Sequence, residues 1–205
     1  ETGMLPVAQW YDTHKNWKNA LNYGISSAWY SARIATITPK TQPIQPTLEW
    51  QVNAYSDPLW TTATATDEQV QQIDDLVEQG LKEGALGIGL VSGYVPGLGG
   101  KEMESIFKLG AKYNVPVSMH IRNWSIVDPE SSREGIGTAI GMATSTGCKL
   151  NICHLHSSAL KDIPEITKMM ESARANGVKL TTEFYPYGLG SFSAGATILG
   201  ESEDV

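Results

Sequence analysis

The sequence predicts an α/β fold, part of a (β/α)8 TIM-type barrel, on three observations. Short apolar runs alternate with longer amphipathic stretches through most of the chain, the pattern of β-α units that build a parallel sheet. The runs are almost continuously apolar, as strands covered on both faces must be. Successive units recur about every thirty residues, the size of one barrel unit. About five strands can be counted, whereas a closed barrel has eight and typically about 250 residues. The 205-residue chain therefore reads as a single domain, part of such a barrel.

In chain order, residues 6–16 read as a helix, 20–25 as a short strand and 27–37 as a helix, followed by a proline-rich loop over 38–46. Residues 51–66, rich in Thr and Trp, show no clear period and read as irregular. Asp67 is expected to cap a helix to about residue 83, with Val70, Ile73, Leu76, Val77 and Leu81 on one stripe. Residues 85–91 read as a buried strand, 101–113 as a helix, 115–120 as a strand and 132–146 as a helix. Residues 150–154 form the next expected strand. The helix over 163–176 is closed by Gly177 in the left-handed conformation, and residues 178–184 are the last clear strand.

Composition excludes several roles. The chain carries 15 Lys and Arg against 22 Asp and Glu, a net charge of −7. There is no basic excess to neutralise nucleic acid phosphates or an anionic membrane surface. No run approaches the roughly 18 apolar residues needed to span a bilayer. Two cysteines, Cys148 and Cys153, give no disulfide framework, which points to a reducing, cytoplasmic setting. Both read as buried thiols. The chain does not start with Met, and the expectation is a segment of a longer protein.

The chemistry sits where strands end. His120 closes VPVSMH and His154 closes KLNICH, and the carboxyl edge of a parallel sheet is where catalytic side chains gather. Imidazoles on neighbouring strands lie close enough to share a metal ion; strand-end histidines bonded to loop backbone are the plainer reading. His156, two residues on, shares the face of His154 if the strand continues. Glu183 ends the last strand as a candidate base, ligand or salt-bridge partner. Arg122 offers a fork for a carboxylate. The glycine-rich loop 92–102 lacks a dinucleotide or Walker sequence, so a plain turn is expected there.

Four runs in order, GALGIGLVSGYVPG, MHIRN, CHLH and TEFYPYGLGSFS, resemble the N-acyl-D-amino-acid deacylases (D-aminoacylases) of the amidohydrolase superfamily over residues 80–193. The opening ETGMLPVAQWY and LNYGISSAWYSAR are similar to the N-acyl-D-glutamate deacylase branch. The resemblance implies a metal-dependent hydrolase barrel, with His120 and His154 as ligands of zinc, one or two divalent ions. It places Glu1 near the bridging ligand, usually Cys in that family. Tyr94, Arg122, His156, Tyr187 and Ser193 then line the substrate pocket. His156 stands where Lys is usual, Trp124 replaces an acidic residue, and Glu183 replaces Asp. The family's first-strand His-x-His pair and last-strand Asp have no match in the sequence, so the resemblance implies the central part of the barrel, with the first and last barrel strands absent.

The activity the resemblance implies is amide hydrolysis of a small-molecule N-acyl-D-amino acid, with N-acyl-D-glutamate the substrate of the branch that the opening resembles, by a metal-activated water, with Glu183 as the acid-base group. A homo-oligomer or the remainder of a longer chain is expected to cover the open barrel edges; nucleic acid and membrane partners are not expected. Because two imidazoles leave zinc short of its usual ligands, a non-catalytic binding module is the alternative. A metal-free aldolase ranks last, since no Lys sits at a clear strand end.

Overall fold

Five parallel strands pair strictly in chain order in the computed structural model, which describes residues 1–123 and 126–189. They are β1 (Ser27–Ala28), β2 (Ile88–Leu90), β3 (Pro116–Met119), β4 (Lys149–Ile152) and β5 (Leu180–Thr182). A doubly wound sheet reverses its strand order at a switch point. The order β1-β2-β3-β4-β5 has no reversal and is that of a barrel wall.

The register separates two faces. Ile88, Val117, Leu150 and Leu180 stand side by side across four strands and are buried. They join one apolar core with Ile73, Ile106, Phe107, Ile136 and Ile166 from the covering helices. These helices are α5 (Asp67–Lys82), α6 (Gly100–Lys112), α7 (Ser132–Thr146) and α9 (Ile163–Ala175). One residue along, Gly89, Ser118, Asn151 and Thr181 form a row on the opposite face. That row is small and polar.

The early elements are α1 (Val7–His14), α2 (Trp29–Ile37), α3 (Leu48–Tyr55) and α4 (Leu59–Thr62). Three expectations are corrected here. The first strand is Ser27–Ala28, not residues 20–25, because Ser27 N donates to Gly87 O at 2.9 Å and that pairing sets the register. Residues 51–66 are not irregular, since α3 is capped by Thr47 Oγ1 accepting from Trp50 N at 3.1 Å. Thr66, not Asp67, caps α5: it accepts from Gln69 N at 3.2 Å, and Gln69 Oε1 accepts from Thr66 N at 2.9 Å, a reciprocal capping box. Gly177 follows α9 with φ +89, as expected.

A buried ion pair joins α2, α4 and α6. Arg33 pairs with Glu102 and donates through Nε to Trp60 O at 2.7 Å. Trp29 Nε1 donates to Glu102 Oε1 at 2.9 Å. The loop after β2 is fastened alongside, with Gly97 N donating to Thr61 O at 2.8 Å. A Cβ on Gly97 would lie 2.5 Å from two carbonyl oxygens of α4 and its C-cap, so glycine is required at this approach.

Candidate metal centre

His120 directly follows β3 and keeps its alternation, pointing to the side of Ser118. Its backbone is held twice: His120 N donates to Leu90 O at 2.9 Å, and its carbonyl accepts from Ser92 Oγ at 2.7 Å. A Cβ on Gly93 would lie 2.4 Å from His120 Cδ2, so only glycine leaves room for the ring. Tyr94 covers the imidazole with ring centroids 4.5 Å apart.

His154 follows β4 by the opposite parity. Simple alternation would send it under the helices beside Ile152. The backbone instead turns left-handed at His154, φ +36, an uncommon conformation that commonly marks functional sites. This turn opens the short helix α8 (Leu155–Ala159). The hydroxyls of Ser157 and Ser158 on α8 each lie 3.2 Å from His154 Nδ1, which directs Nε2 outward.

Glu1 completes the group. Its Oε2 lies 2.5 Å from His154 Nε2 and 3.4 Å from His120 Nδ1, and the two ring nitrogens are 2.9 Å apart. The segment bearing Glu1 is tied to the fold by Met4 N donating to Ser26 O at 3.1 Å and by Tyr30 Oη donating to Gly3 O at 3.1 Å. It crosses β2 at Gly89, where a Cβ would lie 1.8 Å from Thr2 O and 2.5 Å from Glu1 O. Burial pushes the Glu1 carboxyl up, but hydrogen bonds and charge from His120 and His154 outweigh it and hold the carboxyl well below its usual range. Burial works against charge on His154, yet Glu1 raises its pKa above the ordinary value.

Among the described residues, Glu1, His120 and His154 form a group whose ligand atoms could hold one metal ion. Two imidazole nitrogens and an ionised carboxylate oxygen, partly buried and with one ring fixed by hydroxyls, fit a borderline cation such as zinc. Three protein ligands leave a coordination position for water or substrate, as in catalytic zinc sites.

The other expected residues fall around this group with different neighbours. Tyr94 touches His120, and burial together with Glu1 keeps its phenol protonated above the usual range. Arg122 is half-buried, donates through Nη2 to Leu98 O at 2.5 Å and leaves Nε buried without a partner among the described residues. His156 does not share the face of His154, because α8 replaces the expected strand continuation. Its ring packs edge-on against Tyr185, centroids 4.0 Å apart, with both nitrogens buried and unpaired among the described residues. Glu183 follows β5 with an exposed side chain. Tyr187 is 73% exposed and stacks on Tyr185. Ser193 and Trp124 lie outside the described residues.

Sequence reasoning missed Ser157 and Ser158, which stand three and four positions after His154. That spacing marks one helix face and would have been informative had α8 been anticipated. Cys153 and Cys148 are buried, as expected, and burial pushes their thiols up to about 12 and about 11.

No family model and no curated protein matches the chain. Solved structures do. An N-acyl-D-glutamate deacylase from Bordetella bronchiseptica, complexed with zinc and a phosphonate inhibitor, superposes with a TM-score of 0.67 at 19% identity, over 88% of this chain and 34% of that one. A D-aminoacylase described as defining a novel subset of amidohydrolases gives 0.52 at 17% identity, over 61% and 26%. A D-aminoacylase studied for its binuclear metal centre gives 0.52 at 16% identity over the same shares. The chain spans about a third of the first and a quarter of the others. Over the described residues it has the fold of part of the TIM-type barrel found in these amidohydrolases.

Proposed function

We propose that this chain supplies the metal-binding wall of a metal-dependent amide hydrolase that removes the acyl group from an N-acyl-D-amino acid, with N-acyl-D-glutamate as the leading candidate. The observation that carries this reading is the convergence of Glu1 Oε2, His120 Nδ1 and His154 Nε2 within 3.4 Å of one another. The similarity to one deacylase solved with zinc and another studied for its binuclear metal centre supports the choice of reaction. The substrate class rests on the motif resemblance.

A divalent ion held there lowers the pKa of a bound water and polarises an amide carbonyl. The residues of this chain do the rest. His120, His154 and Glu1 hold the ion, while Ser157 and Ser158 keep His154 Nε2 directed at it. Tyr94 walls one side of His120 and presents a neutral phenol. The guanidinium of Arg122, half-buried at the start of the loop after β3, meets a substrate carboxylate in this reading. Glu183, at the end of β5, carries a proton to the leaving amine. His156 and Tyr187 complete the substrate pocket in this reading, and the motif resemblance assigns Ser193 the same role.

A carboxylate beside the two imidazoles gives three protein ligands instead of two, which favours catalysis over a non-catalytic binding module. The deciding experiment assays the full protein with N-acetyl-D-glutamate and its L isomer, with zinc and with chelator. Chelator-sensitive release of D-glutamate supports the proposal; zinc-loaded protein that hydrolyses neither isomer overturns it.

A further inference from the structure

The glycine-rich loop after β2 reads from sequence as a plain turn, yet it lies directly on the residues that follow β3. Ladder pairing between β2 and β3 ends at Leu90 and Met119, beyond which His120 N still donates to Leu90 O at 2.9 Å. The loop takes up the next group, the His120 carbonyl: Ser92 Oγ donates to it at 2.7 Å and Gly93 N at 3.2 Å. A Cβ on Gly93 would lie 2.5 Å from Ile121 O, so the loop covers the following peptide too. At its far end, Leu98 O accepts from Arg122 Nη2 at 2.5 Å. Residues 120, 121 and 122 thus all meet one loop.

That loop is itself firmly seated. Val95 N donates to Ser92 O and Tyr94 N to Val91 O, each at 3.2 Å, while Val95 and Leu98 are buried in the core. A buried carbonyl needs one partner, and Gly93 N already supplies it. The buried Ser92 hydroxyl is a second donor, and its effect is directional. Two donors on one carbonyl fix the plane of the His120–Ile121 peptide, and with it the direction in which the His120 side chain leaves the backbone.

We infer that the loop after β2 positions the candidate metal centre, with Ser92 as the positioning residue that sets His120 through its carbonyl. This rests on the metal-dependent reading above. Because Leu98 O holds Arg122, one loop supports both the metal ligand and the arm assigned to the substrate carboxylate.

The test compares zinc affinity, by competition with a chromophoric chelator, in the full protein and in Ser92→Ala, which leaves Gly93 N on the carbonyl. Loss of one neutral hydrogen bond should weaken zinc binding roughly three- to tenfold, and the visible spectrum of the cobalt-loaded variant should shift. Ser105→Ala, which removes a hydroxyl on α6 bonded to Asp74, should match the wild type in both. A hydroxyl that only stabilises the fold would lower the urea midpoint and leave affinity and spectrum unchanged, which overturns the assignment. An equal loss of affinity in Ser105→Ala overturns it too. A second measurement needs no variant: coupling is reciprocal, so zinc should slow hydrogen exchange at the Gly93 amide at least about threefold. Exchange at the same rate with and without zinc contradicts the inference. Failure of the unmutated protein to bind zinc removes the metal centre and this inference together, a result distinct from an unaltered Ser92→Ala.

Discussion

The Glu1 carboxylate and the His154 imidazole meet at 2.5 Å although 153 positions separate them. Their meeting depends on three local devices: the left-handed turn at His154, the missing side chain at Gly89 and the hydroxyls of α8. The last two each yield a separate expectation.

Ser157 and Ser158 grip His154 Nδ1 from one side. Groups that orient a ligating histidine are worth about 10- to 100-fold in metal affinity. The double variant Ser157→Ala/Ser158→Ala should lose zinc affinity in that range, read by competition with a chromophoric chelator, with an unchanged circular dichroism spectrum. An undiminished affinity would show that the hydroxyls do not orient the ring.

Gly89→Ala should separate the metal site from the sheet. The new methyl would lie 1.8 Å from Thr2 O, so the segment bearing Glu1 must move while β2 keeps its partners. Zinc affinity should fall at least about tenfold, whereas the helical signal persists. Wild-type affinity in this variant would mean that Glu1 is not a ligand.

Arg33 and Glu102 form a fully buried pair fastened to Trp60 O and Trp29 Nε1. Removing one partner strands the other's charge, a loss of about 3–5 kcal/mol. Arg33→Met should show a loss of that order in urea unfolding, and Arg33→Met/Glu102→Leu should recover much of it. If the single variant unfolds at the wild-type midpoint, the pair is not holding α2 to α6.

Asp74 on α5 accepts from Ser105 Oγ at 2.9 Å, and burial pushes its carboxyl up to about 6 from 3.8. A raised carboxyl pKa favours the protonated form in the folded state. Its stabilising contribution is therefore complete below about pH 4 and lost as pH rises through about 6. Asp74→Asn should stabilise the protein at pH 7 by about 1 kcal/mol, after discounting for partial solvent screening. It should also flatten the decline in stability between pH 4 and 6. A variant that parallels the wild type across that range would refute the assignment.

Strand ends and helices were readable where one period dominated. The apolar runs around Ile88, Val117 and Leu150 announce buried strands, and the stripe through Ile73 and Val77 announces α5. The strand-end placement of His120 followed from the same reading. Position His154 was also legible, but not its direction, because alternation gives the wrong face and the left-handed turn has no clear sequence signal. Helix α3 was hidden because its eight residues, Leu48–Tyr55, expose most of their side chains and so show no apolar stripe. The Arg33–Glu102 pair joins residues 69 positions apart, beyond the reach of any local pattern.

X-ray absorption at the zinc edge of the loaded protein addresses the three-ligand centre most directly. The account predicts scattering from two imidazoles and one carboxylate oxygen at about 2.0–2.2 Å, with one imidazole lost in His120→Ala and one in His154→Ala. A shell of sulfur at about 2.3 Å, or an imidazole count that neither substitution changes, would contradict it.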